Sequence, residues 1–168
     1  MSKQSSANKF IVFLLLLILV VILIYVFNKN TKQDTSSVVI NNCDSRLWEH
    51  VYHKYRLEVI EECKSVTGTI EKIRKEEDGD LHMLLKLDSG QENLLNDKNN
   101  SGQHGDLVLE PICVNEVTQK DAIAPCSGYV NDVRIPRVGD HVKVTGSYVL
   151  DKEHGWNEIH PVTAIEGY

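Results

Sequence analysis

The sequence predicts a mainly β domain of five strands, preceded by one transmembrane α-helix and a short amphipathic helix. Three observations carry that prediction. Phe10 to Phe27 is an unbroken apolar run without a charge. After Arg56 the apolar residues change from a helical spacing to an alternating one rich in β-branched side chains. Turn-forming Gly and Asp separate those alternating runs, and every Gly lies at or after Gly68.

Residues 1–9 form a short tail that carries Lys3, Lys9 and no acid. Residues 10–27, FIVFLLLLILVVILIYVF, also lack Gly, Pro, Ser, Asn and Gln. At about 1.5 Å per residue such a run spans roughly 27 Å, close to the hydrocarbon core of a bilayer. It must be helical there, because every backbone group has to be satisfied internally. The competing reading is a cleaved signal peptide, whose apolar stretch is usually about 7–15 residues. This run is longer, and neither a small-x-small site nor a Cys directly follows Phe27. A retained anchor is the better reading. Lys3, Lys9 and the amino terminus against Lys29 and Lys32 give a slight bias toward a cytoplasmic N-terminus.

Residues 28–42 are polar and read as a tether. Over 43–56, Leu47, Trp48, Val51, Tyr52 and Tyr55 recur at helical spacing, with Asn42 or Asp44 available as a cap. The aromatic stripe is read as packing on the domain, with a partner-binding or membrane-surface face as the competing role.

The domain proper is assigned to 57–168. Its first strand runs from Leu57 through Val66 to Arg74, and Glu76 to Asp80 form a turn whose paired acids, Glu76/Glu77 and Asp78/Asp80, are read as solvated, with a cation-binding turn as the lesser alternative. The return strand is 81–87, with Leu81, Met83, Leu85 and Leu87 on the core face and His82, Leu84 and Lys86 opposite. A long loop over 88–106 leads to a third strand at 106–114, where Pro111 marks an edge or bulge. A short helix is expected at 116–124. A fourth strand follows at 138–150, then a turn at 151–155 and a fifth strand at 156–166.

The opening Val66-Thr67-Gly68-Thr69-Ile70 and the late Val138-Gly139-Asp140-His141-Val142-Lys143-Val144-Thr145-Gly146, followed by one more strand, resemble an OB-fold, the five-stranded Greek-key barrel. The run from His154 to Val162, HGWNEIHPV, is similar to that of small exported or membrane-anchored prokaryotic proteins of unknown function. The resemblance covers about residues 56–166. It implies a five-stranded OB-like barrel and no established activity, so it carries over no catalytic residue.

Charge narrows the partners. The chain has 18 Lys+Arg, 24 Asp+Glu and a net charge of −6. Setting aside Lys3 and Lys9 leaves a net −8 on everything after the apolar run. That balance argues against nucleic acid, whose binders need basic surface. An envelope protein, a peptide or a glycan needs none. The membrane itself is engaged through residues 10–27.

Four cysteines, all after the membrane run, suit disulfides in an oxidising compartment. Of the three connectivities, Cys43 with Cys63 would tie the leading helix to the first strand, and Cys113 with Cys126 would close the mid-domain connection. A Cys-based zinc site would need close C-x-x-C pairs, which are absent.

In the last strand Trp156, Glu158 and His160 share one face by alternation; with Tyr148 they are the candidate ligand-binding residues. His154, His160 and, from the long loop, His104 admit a divalent metal as the alternative to no cofactor at all. The favoured reading over a metal has these residues anchor loops by hydrogen bonds, with Trp156 and Pro161 packing across the barrel mouth. No Gly-x-Ser-x-Gly, phosphate-cradling loop or His-Glu-x-x-His occurs. No catalytic residue is assigned. The expected function is a membrane-anchored binding or complex-support module with its domain outside the cytoplasm. The alternative is a metal-dependent hydrolase or nuclease-like enzyme using the His/Glu cluster near the C-terminus.

Overall fold

The structure is a computed structural model in which Ile18 and residues 43–167 are described. Apart from Ile18, the expected tail, anchor and tether lie outside the described residues. Among the described residues no helix is long and apolar enough to cross a membrane. The chain divides into Met1–Ile40 and a compact unit, Asn41–Tyr168.

That unit is mainly β. Its strands are β1 (Leu57–Lys75), β2 (Leu81–Leu87), β3 (Leu107–Leu109), β4 (His141–Asp151) and β5 (Asn157–Gly167). They form one sheet that closes on itself in the order β1-β2-β3-β5-β4. The 19-residue β1 serves both neighbours: Leu57 to Thr69 pair with β4, and Gly68 to Lys75 pair with β2. A Cβ added at Gly68, where the two pairings overlap, would collide with the Lys86 carbonyl. Only glycine lets the backbones approach so closely there. The ring is completed by a short parallel contact, Val108 with Glu158 and Leu109 with Ile159.

Alternation on β2 is as expected for one face: Leu81, Met83 and Leu85 enter the main core with Ile70, Leu109 and Ile159. The opposite face differs. His82 and Leu84 are also buried, and only Lys86 is exposed.

The single helix expected over 43–56 is instead two 3-10 turns, Ser45–Glu49 and Lys54–Arg56. Asp44 caps the first through the Arg46 N–H. His53, at φ 50°, prevents one helix from running through. Trp48 donates its indole N–H to Ser147 Oγ at 3.2 Å. Leu47 and Trp48 pack on a second cluster formed by Val51, Leu57, Ile112, Cys113 and Val149. Tyr55 is exposed. So the first part of the aromatic stripe packs inward and its end does not.

The 88–106 stretch is not a plain loop. It contains a 3-10 turn, Glu92–Leu94, and α1, Asp97–Gly102, capped reciprocally by Asn96 and Asn99. The third strand is shorter than expected because Pro111, with no N–H to give, lies two residues beyond β3. The helix expected at 116–124 is a 3-10 turn, Lys120–Ala122, running into α2, Ile123–Cys126. Both disulfides are present, Cys43–Cys63 and Cys113–Cys126. The second closes a 13-residue connection beside the β1–β2 turn.

Candidate functional site

The closed sheet places an unusual polar layer beside its apolar core. On β5, Ile159 enters the core while its neighbours Glu158 and His160 turn the other way, and both are fully buried. Glu110, the residue directly after β3, meets them across the parallel contact. His160 Nδ1 lies 2.9 Å from Glu110 Oε2 and 3.0 Å from Glu158 Oε1. The non-core face of β2 adds His82, with Nδ1 3.2 Å from Glu110 Oε1 and Nε2 3.1 Å from Gln103 Oε1.

Arg56 enters from the 3-10 turn ahead of β1. Its Nε is 3.4 Å from Asp151 Oδ2, and a terminal nitrogen is 3.8 Å from Glu110 Oε2. The β1–β2 turn supplies Asp80, whose Oδ1 accepts the Cys113 N–H at 2.8 Å. Asp78 Oδ1 in turn accepts the Asp80 N–H. Asp80 is 3% exposed, so the acids of this turn are not uniformly solvated as expected. The reason is that 111–115 folds over the turn: Val114 and Asn115 both donate N–H to the Gly79 carbonyl.

These contacts sort the charges. Burial works against an ionised Glu110, but the His160 and His82 imidazoles outweigh it and hold the carboxyl below its usual range. Burial likewise opposes a charged His160, and Glu110 reverses that, raising it well above the ordinary imidazole value. His82 is raised in the same way through Glu110. Asp80 has no such cation at hydrogen-bond distance; burial and the Asp78 charge push it up to about 8. Burial and the Glu110 charge also push Glu158 up.

Above the layer opens a cleft of about 450 Å³. Glu110, His82 and Arg56 line it together with Arg74, Lys75, Glu76, Glu77 and Asp78, a rim of mixed charge in which Arg74 is paired to Glu76 at 2.6 Å, and His154 and Trp156 form one wall. The wall is flat: the His154 and Trp156 rings stack at 4.4 Å with 4° between their planes. It is also held in place, because His154 Nδ1 is 2.7 Å from Asp151 Oδ2 and Trp156 donates to Glu158 Oε2 at 2.8 Å. A second cleft, of about 350 Å³ beside Arg134 and His141, has no buried ionisable side chain in its lining.

The sequence-predicted residues divide three ways. Trp156, Glu158 and His160 are joined by direct hydrogen bonds, as alternation implied. Tyr148 does not join them: it is 6% exposed, donates to the Leu94 carbonyl and accepts from Asn157 Nδ2. Its hydroxyl is spent on the core, so it is not offered to a ligand. His104 is exposed in a left-handed turn, and His154 belongs to the cleft wall. Among the described residues, the groups with ligating atoms within 4.8 Å of one another are Asp80/Cys113/Cys126 and Asp80/Glu110/His160. His104 and His154 are in neither, so the expected His104/His154/His160 set does not assemble.

Sequence reasoning missed Arg56 and Glu110 as site residues, and it favoured a solvated Asp80 over a cation-binding one. Glu110 left a signal, a lone acid at the end of the apolar run Leu107-Val108-Leu109. His82, set among leucines on β2, left another. No family model, no curated protein and no solved structure matches this chain.

Proposed function

We propose that this chain is a single-pass membrane protein whose OB-type barrel works outside the cytoplasm as a non-catalytic binding or complex-support module. Its ligand seats in the cleft walled by Trp156 and His154. One observation carries this reading: the cleft has a flat aromatic wall pre-positioned over a buried, hydrogen-bonded charged floor. Such preorganisation lowers the ordering cost of binding. A sugar face or a peptide group packs on the wall, and Arg74, Lys75 and Glu110 meet its polar substituents.

Support for the rest is separate. The strand order β1-β2-β3-β5-β4 favours the OB assignment. Residues 10–27 favour the anchor, and two disulfides favour an oxidising compartment. The test is native pull-down of the full-length protein from membranes, with mass spectrometry of what accompanies it. A specific envelope protein, peptide or glycan should be retained by the wild type and lost from Trp156→Ala. Equal retention by both proteins would remove the cleft from the proposal.

A metal-dependent hydrolase is the second reading, and the grouping of Asp80, Glu110 and His160 is the observation on its side. Hydrolysis by the purified chain that disappears with chelator would favour it over simple binding.

A further inference from the structure

The hydrogen bonds of the polar layer leave one atom out. His160 is 1% exposed, and its Nδ1 already faces Glu110 and Glu158. Its Nε2 is buried with no hydrogen-bond partner. A neutral ring protonated on Nδ1 presents there a lone pair without a donor; a charged ring presents an N–H without an acceptor. Either state is an uncompensated burial of a polar atom.

An electron-pair acceptor at that nitrogen resolves it. Asp80, Glu110 and His160 each offer a ligating atom within 4.8 Å of the other two, and all three are buried. Each is also held from behind. Glu158 contacts His160 Nδ1, the Cys113 N–H bonds Asp80, and His82 bonds Glu110. A ligating histidine fixed through its other nitrogen by a carboxylate, beside carboxylates that are themselves hydrogen-bonded, is how protein metal sites are built.

We infer that Asp80, Glu110 and His160 bind one divalent transition-metal ion, each acid giving a carboxylate oxygen and His160 its Nε2. One imidazole with two carboxylates suits Zn²⁺ or Mn²⁺ rather than Ca²⁺, which takes about six to eight oxygens. Cys113 and Cys126 also lie near Asp80, but their sulfurs are joined in a disulfide and supply no thiolate. Metal–ligand distances of about 2.0–2.2 Å keep ligating atoms within roughly 4.4 Å of each other, so binding requires Glu110 to give up its contact with His160 Nδ1, which Glu158 retains, and to turn its carboxylate to the ion. Glu110 also lines the cleft, which gives the ion its route. The inference does not rest on the cleft's ligand: an ion binds here whether or not Trp156 contacts a partner.

The test uses the full-length protein without an oligohistidine tag, in detergent, stripped by chelator with its disulfides intact. Co²⁺ serves as the visible probe and Zn²⁺ as competitor. One equivalent of Co²⁺ should bind, be displaced by Zn²⁺ and be indifferent to Ca²⁺. Asp80→Asn keeps an oxygen for the Cys113 N–H yet should weaken Co²⁺ at least 100-fold, whereas His104→Ala should leave it within twofold. Histidine ¹⁵N spectra of the wild type serve as a readout that needs no variant, and Zn²⁺ should move the His160 Nε2 resonance. No stoichiometric binding by the folded wild type, binding unchanged in Asp80→Asn, or Zn²⁺ shifts confined to other histidines would each overturn the inference.

Discussion

Asn99 shows how much one side chain carries in this domain. It is fully buried; its amide donates to the carbonyls of Asp106 and Asn157, and its oxygen accepts the N–H groups of Asn96 and Asn157. Asn99→Ala should destabilise the domain by about 3 kcal/mol, since several buried partners lose their bonds together. Urea unfolding would measure it, and a loss below about 1 kcal/mol would show that water replaces the amide. The same burial bears on the Asn99-Asn100-Ser101 glycosylation sequon, since a fully used amide is closed to modification in the folded chain. Tyr148→Phe is milder, expected to cost about 1 kcal/mol while leaving cleft binding intact. Ligand loss in that variant would return Tyr148 to the site. Alternation alone made the Trp156-Glu158-His160 row legible. Asp80 and Glu110 were not, because their partners lie 28 or more residues away in sequence.

Among the elements, β2 was readable from sequence to its residue bounds, since period-2 spacing between an Asp-Gly turn and a Gly-rich stretch leaves few alternatives. The 43–56 segment was not. Its helical spacing is real, but Trp48 and Val51 are drawn onto β4 and the second cluster, and tertiary packing overrides the weak helix preference of Val, Tyr and His. Cysteine spacing gave the pairings as options, and the fold selects Cys43–Cys63 and Cys113–Cys126. Replacing Cys113 and Cys126 together by Ser should cost about 3 kcal/mol for a loop of this length. Thermal unfolding of the variant would check that, and an unchanged midpoint would mean the connection is already pinned by Asp80 and Asn115. Gly146→Ala belongs to the same scale. Its new Cβ would run into the Pro161 carbonyl and Ile159, so β4 and β5 must separate, at a cost on the order of 2 kcal/mol. A variant as stable as the wild type would show that the β4–β5 irregularity near Gly146 absorbs the methyl.

For the whole molecule, charge and hydropathy divide the chain more sharply than its average suggests: a basic tail and uncharged run, then a strongly acidic remainder. In the proposed reading the acidic remainder is repelled by anionic lipid, and attachment falls to residues 10–27. The full-length chain should therefore stay in the membrane pellet through alkaline carbonate extraction. Its cysteines should resist thiol labelling until reduced. Release by carbonate would sink the anchor, and labelling without reductant would sink the oxidising compartment. Five strands were legible in the sequence. Their cyclic order was not legible from spacing and came only through the OB resemblance, since it depends on β1 serving two neighbours and on β3 meeting β5 across some fifty residues.

That last contact makes the ring unequal around its circumference. The β1–β2, β1–β4 and β4–β5 junctions are long antiparallel ladders and β2–β3 has three aligned pairs, but the parallel β3–β5 seam has only two, lengthened by Glu110 N–H to the Ile159 carbonyl and Val162 N–H to the Glu110 carbonyl. Glu110 thus stitches the seam with its backbone while its carboxylate holds His160. Opening of the ring is therefore expected to start there, and each opening would let water reach the charged layer. Whatever engages that carboxylate also acts as a clasp. Amide hydrogens of Glu110 and Val162 should exchange earliest among the paired strand positions, and slow most when the site is filled.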